Sequence, residues 1–290
     1  MKGLRTFLCR HPYAALLCPL IPCIFLAAAL VYYQILALPV AAVLLLWVYF
    51  LLSYPIRRLP QALMRDAAIA LERDLDPPAF LSLVELLLSR KTNNPLTRIS
   101  LGANYAAGLD AAGKSDEALA YLRALMPERV KLDPLNGVQF DLSYAVVAVH
   151  TESGRTEVPS VLSDVRAILP TLPPPLSAAV RETAESVRLS YALYTGDESD
   201  ATLISYYVSA IERYRREGAM SRRRMLRSCM NLARVYDRAN RFADAAAMYT
   251  YVEKNGNLLG IVPEAKAARG ALSLRESAAR MQASDEETVI

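Results

Sequence analysis

The chain of 290 residues allows one or two domains, and 53% of it is hydrophobic, above the roughly 45–50% of an ordinary soluble domain. Its four cysteines form no metal spacing and no CxxC pair, and its formal net charge is only +4. A zinc module and a global basic field for nucleic acid are thereby excluded.

The apolar excess lies near the start. From Pro12 to Ile56 runs a stretch of 45 residues without Lys, Arg, Asp or Glu. As helix this would measure about 67 Å, and a bilayer core of about 30 Å is crossed by about 20 residues. A break near Tyr32, Tyr33 and Gln34 predicts two spans, about 13–33 and 38–54, and residues 1–56 read as a transmembrane helical hairpin. The competing reading, a buried soluble hairpin, suits an uncharged run of this length poorly. A signal peptide fits poorly too, because a second span follows and no A-x-A-like site precedes Gln34. Lys2, Arg5 and Arg10 precede the run, Arg57, Arg58 and Arg65 follow it, and the connection is uncharged. The positive-inside rule then puts both ends, and the domain that follows, in the cytoplasm at the cell membrane.

Beyond Arg58 the pattern is helical throughout. Residues 57–76 read as a juxtamembrane helix and linker, broken at Pro77-Pro78, and 77–282 as a repeat domain. Apolar residues recur at helical spacing, as in Ala118, Tyr121, Leu122, Leu125 and in Leu232, Val235, Tyr236, Ala239. Four inter-helix turns resemble one another, "AGKS", "SGRT", "TGDE" and "ANRF", with Gly113, Gly154, Gly196 and Asn240 at intervals of 41, 42 and 44 residues. Gly, or Asn, suits the left-handed close of a helix, and such a period means a stacked helical array. A last helix starts at Pro263, and 283–290 form a disordered acidic tail. The fold class is all-α.

The stretch "GLDAAGKS", Gly108 to Ser115, matches the nucleotide-binding Walker pattern by letter. A phosphate loop must follow a strand, whereas "SLGANYAAGLD" is helical in pattern, and Asp116 and Glu117 would repel phosphate. The segment reads as an inter-helix turn, and no nucleotide or other cofactor is expected.

Two segments, around Tyr105, Ala106, Gly113, Ala118, Leu122 and around Leu232, Ala233, Tyr236, Phe242, Ala245, Tyr249, resemble the tetratricopeptide repeat family. The layout resembles uncharacterised bacterial membrane proteins that carry such a domain behind an N-terminal hairpin. The middle pairs depart from the family, with Pro159 in place of a small residue and a spacing above the usual 34 or so. The resemblance implies an α-solenoid whose first helices line a concave surface for a protein or peptide, with Asn104, Asn231, Arg234 and Arg238 as contact residues.

No catalytic or metal constellation stands out. The two histidines are His11 and His150, and His150 reads as a helix-end residue. The strongest charge feature is the run of Arg213, Arg215, Arg216, Arg222, Arg223, Arg224 and Arg227. It reads as a solvated helix end and loop, or as a patch for anionic lipid or an acidic protein partner. For nucleic acid it lacks interleaved stacking aromatics. The expected function is a membrane-anchored adaptor or scaffold, not an enzyme. The alternative is a small membrane-embedded subunit of a transport or secretion complex, with the array serving assembly.

Overall fold

The computed structural model describes residues 7–8, 12–90 and 94–287; His11 lies outside them. Among the described residues every regular element is helical and none is a strand. The chain divides into two compact units, Met1–Ala67 with Ser82–Asn93, and Ala68–Leu81 with Asn94–Ile290.

In the first unit, α1 spans Pro12–Tyr32 and α2 spans Leu38–Ala68. Two helical stretches, Ala14–Tyr32 and Leu38–Arg73, are long and apolar enough to cross a membrane. Large apolar side chains such as Phe25, Leu26, Trp47 and Leu51 face outward along them. The break falls where the sequence placed it, with Tyr32 and Tyr33 edge-on at 5.3 Å and Gln34 left-handed at φ 55°. No separate helix starts at residue 57. The second apolar helix runs on through Arg57 and Arg58 to Ala68 and ends in a π turn, Ile69–Arg73. Leu75, left-handed at φ 56°, then turns the chain, and Asp76 accepts from the Ala79 amide to start α3, Pro77–Leu88.

The second unit holds α4 (Pro95–Ala111), α5 (Ser115–Arg129), α6 (Pro134–Ala148), the single turn α7 (Glu152–Arg155) and α8 (Val158–Ile168). There follow α9 (Pro174–Thr195), α10 (Asp200–Glu217), α11 (Arg222–Arg238), α12 (Phe242–Asn255) and α13 (Ile261–Glu287). Asn94, Asp133 and Ser199 cap α4, α6 and α10 through their side-chain oxygens, each satisfying an amide that the helix leaves open. The core is built where small residues let helices close up. Ala106 of α4 and Ala118 of α5 are fully buried, and Leu122, Tyr144, Ala145 and Val158 fill the space around them.

Three of the four predicted turns are left-handed, at Gly113 and Gly196 (φ 81° each) and Asn240 (φ 57°). The fourth differs. Thr151 caps α7 by accepting from the Gly154 amide, and Gly154 lies inside that turn. A Cβ at Gly154 would stand 2.5 Å from Thr151 Oγ1 and 2.7 Å from the Ala148 carbonyl. This glycine is required for space, not for a positive φ. The end of the chain differs as well. Helix α13 continues through Ala283–Glu287, part of the segment read as a disordered tail, where Ala283, Glu286 and Glu287 favour helix; residues 288–290 lie outside the described residues.

The second unit is not joined only between neighbours in sequence. The Gly260 amide donates to the Ala111 carbonyl at 2.8 Å, and the Leu258 amide donates to the Leu75 carbonyl at 3.2 Å. The loop before α13 thus meets both the α4–α5 turn and the turn before α3.

Candidate functional site

The stretch Gly108–Ser115 is a helix end, a left-handed glycine and a helix start. Three of its amides are spent within the turn: Ala112 donates to Gly108, Gly113 to Asp110 and Lys114 to Leu109, all at 2.9–3.0 Å. Gly108 sits inside α4, where a Cβ would come within 2.6 Å of the Phe80 ring. Lys114 pairs with Glu117 at 3.3 Å.

This turn instead places a carboxylate inside the protein. Asp110 is the last acid of α4 and only 5% exposed. Its Oδ1 accepts from Ser115 Oγ at 2.7 Å and faces His150 Nδ1 at 2.8 Å, and its Oδ2 accepts from Arg227 Nη2 at 3.1 Å. Arg227 Nη1 also reaches His150 Nε2 at 3.4 Å. Burial pushes the Asp110 carboxyl up, but His150, Arg227 and the hydrogen bonds of His150 and Ser115 outweigh it and hold it well below the usual carboxylate range. Burial pushes His150 down, helped by Arg227 and Arg234 and opposed by Asp110. When the ring is neutral, a proton on Nδ1 is donated to Asp110 and Nε2 accepts from Arg227. An acid, an imidazole and a guanidinium so join α4, the end of α6 and α11.

As chemistry, this group does not form a nucleophile relay. Ser115 donates to the carboxylate, not to the imidazole, and the far nitrogen of His150 is occupied by a guanidinium. Among the described residues no group of three metal-ligating side chains exists.

Above the ionic group opens a cavity of about 460 Å³ between α9, α10 and α11, of the size that takes a small ligand or a side chain. Asp110, His150 and Arg227 border it together with Thr183, Ser186, Tyr206, Tyr207, Arg213 and Asn231. Burial pushes the Tyr207 phenol up to about 12, against hydrogen bonds from Ser190 and Asn231.

The predicted residues are distributed unevenly around it. Arg213, Arg223, Arg224, Arg227 and Asn231 border the cavity. Arg213 pairs with Glu182, Arg223 with Glu72 at 2.7 Å and Arg224 with Glu217 at 3.3 Å, while Arg222 donates to the Asn255 carbonyl at 3.2 Å. Arg215, Arg216 and Arg222 of the run have no carboxylate partner among the described residues. Asn231 is buried, donates to the Tyr207 hydroxyl at 3.3 Å and accepts from Arg234. Arg234 also pairs with Glu264 and lies over the Tyr194 ring at 5.3 Å. Arg238 ties α11 to Asp200 and to the Leu193 carbonyl. Asn104 stands apart, in a smaller groove of about 210 Å³ between α4 and α6.

Sequence reasoning missed Asp110 as the centre of the site. A signal was present. No charge occurs between Arg98 and Asp110, so an acid closes an otherwise uncharged stretch of helix and needs a cation. Neither the known protein families, nor the curated proteins, nor the solved structures contain a match to this chain.

Proposed function

We propose that the protein is a membrane-anchored helical-repeat adaptor that holds a protein or peptide partner at the cytoplasmic face of the cell membrane. The two apolar helices support the anchor, and the flanking Lys and Arg residues support the orientation. A tetratricopeptide-like array is supported by two hairpins, α4–α5 and α11–α12, that repeat the same turn and the same buried alanines 127 residues apart. The observation that carries the binding role is the cavity between α9, α10 and α11, whose rim mixes hydroxyls, aromatic rings and arginine. Such a lining takes up a polar peptide side chain with its hydrogen bonds met.

The test uses the full chain in native membranes. A photo-crosslinking residue at Thr183, on the exposed lip of the cavity, traps one protein. The Ser186→Trp variant, which fills the cavity, removes that product. A crosslink indifferent to filling would overturn the binding role. In the same membranes, a cysteine introduced into the 34–38 loop is labelled by an impermeant thiol reagent from outside, and one introduced into the 283–290 segment is not. Labelling of the latter alone would overturn the orientation.

A further inference from the structure

Most of the arginine run is neutralised inside the protein, and what remains is confined to one edge. The π turn and the loop after it, Glu72–Leu75, are flanked there on two sides. On one side the turn Ala219–Ser221 packs against Ile69–Arg73, and Arg223 pairs with Glu72. On the other, Asn257 Nδ2 donates to the Asp74 carbonyl at 2.8 Å and the Leu258 amide donates to the Leu75 carbonyl. Arg222 joins the two flanks through the Asn255 carbonyl. Three stretches distant in sequence thus make a single edge.

The acids of this edge are largely spent: Glu72 on Arg223, Asp74 on Arg73 at 2.7 Å, Glu217 on Arg224 and Glu253 on Arg269 at 3.0 Å. Arg215, Arg216 and Lys254 are exposed without carboxylate partners among the described residues, against the single acid Glu212. Between them two large apolar side chains point outward, Met220 at 44% exposed and Leu258 at 55%. Gly218, at φ 85°, sets the loop that presents Met220.

Cations around exposed apolar side chains match an anionic bilayer surface, where headgroups take the charge and the interface takes the apolar tips. The π turn that this edge flanks also follows the uncharged run closely in sequence. Twelve residues, 57–68, separate the end of the uncharged run from the π turn. As helix they extend only about 18 Å. We propose that the edge formed by Arg215, Arg216, Met220, Lys254 and Leu258 docks on the anionic lipid headgroups of the membrane that holds the apolar hairpin. The proposal rests on the membrane-anchor reading above.

The experiment is hydrogen exchange on the full chain reconstituted into nanodiscs. One set is phosphatidylcholine alone, the other phosphatidylcholine with phosphatidylserine in about equal parts. Peptides covering 213–222 and 254–260 exchange at least about fivefold more slowly in the anionic discs, the factor that one basic residue near the surface supplies. The turn at 196–199 is unaffected. High salt removes the difference, and so does Arg215→Ser with Arg216→Ser, which touches no buried pair. Equal exchange in both discs, or a difference that survives the double substitution, would overturn the docking while leaving the anchor standing. A chain that fails to enter discs of either kind would overturn both. Protection of this edge only by an added acidic protein, with none from anionic lipid, would assign the patch to that protein instead.

Discussion

Helices α4–α5 and α11–α12 are one hairpin used twice. Offset by 127 residues, Asn104 corresponds to Asn231, Ala106 to Ala233, Asp110 to Asp237, Gly113 to Asn240 and Ala118 to Ala245. The backbone agrees in detail. Gly113 and Asn240 are both left-handed, and the amides after them donate back five residues, Lys114 to Leu109 at 2.9 Å and Arg241 to Tyr236 at 2.8 Å. Ala118 and Ala245 are both 0% exposed. The acids nonetheless play opposite parts. Asp110 lies buried among Ser115, His150 and Arg227, whereas Asp237 pairs at 2.9 Å with the well-exposed Arg275. The hairpin fixes where the carboxylate points. What packs over the turn decides whether it joins a buried ionic group or pairs with an exposed arginine.

The sharpest way to break this comparison is to remove each acid. Asp110→Ala removes the buried carboxylate that Ser115, His150 and the half-buried Arg227 share and costs about 3 kcal/mol, the lower end for a broken buried pair. Asp237→Ala breaks a pair whose arginine stands in solvent and costs about 1 kcal/mol. Denaturant titration of the full chain measures both, and equal losses would mean that the ionic group carries no special weight.

A smaller loss follows from the alanines, which are alike in the two hairpins. Ala118→Leu and Ala245→Leu each cost about 1–3 kcal/mol, since an added side chain must move a helix. In an open solenoid the damage would stay with the neighbours. Here Asp110 and the Gly260 amide tie the first hairpin to α11 and to the start of α13, so Ala118→Leu raises hydrogen exchange in 222–238 as well as in 95–129. Exchange that rises in 95–129 alone would show the tie to be weak.

The left-handed residues separate the hairpins less. Gly113→Ala costs about 1–2 kcal/mol from its positive φ, and a Cβ there meets Gly260 Cα at 3.2 Å. Asn240→Gly keeps the conformation and changes the melting temperature little.

Titration divides them again. His150 has its pKa lowered in the folded protein, so its contribution is full above the unfolded value and is lost as pH falls below it. Asp110 follows the same sign lower down, its contribution being lost as pH falls below the ordinary carboxylate range. Stability therefore declines from about pH 7 toward pH 5, by no more than about 1.4 kcal/mol per pH unit for one proton. His150→Gln flattens this part of the profile, and a slope unchanged by it would remove His150 from the account. Smallest of all, Lys114→Leu and Arg241→Leu, at exposed turn positions, stay within about 0.5 kcal/mol.

What the sequence determined by itself is what depends on near neighbours along the chain. The uncharged run from Pro12 to Ile56 required two long apolar helices, and helical spacing with Gly113, Gly196 and Asn240 required helices joined by left-handed turns. Those signals are local because helix periodicity and positive φ act within a few residues. Gly154 was misread because a glycine chosen for lack of space looks the same, in sequence, as one chosen for its φ. The site was decided only by the tertiary structure. Asp110, His150 and Arg227 lie 40 and 77 residues apart, and no rule of spacing joins them. Whether an arginine of the 213–227 run is a surface charge or an internal partner turns on which carboxylate packs beside it, and Coulomb attraction depends on that distance and on burial, not on separation along the chain.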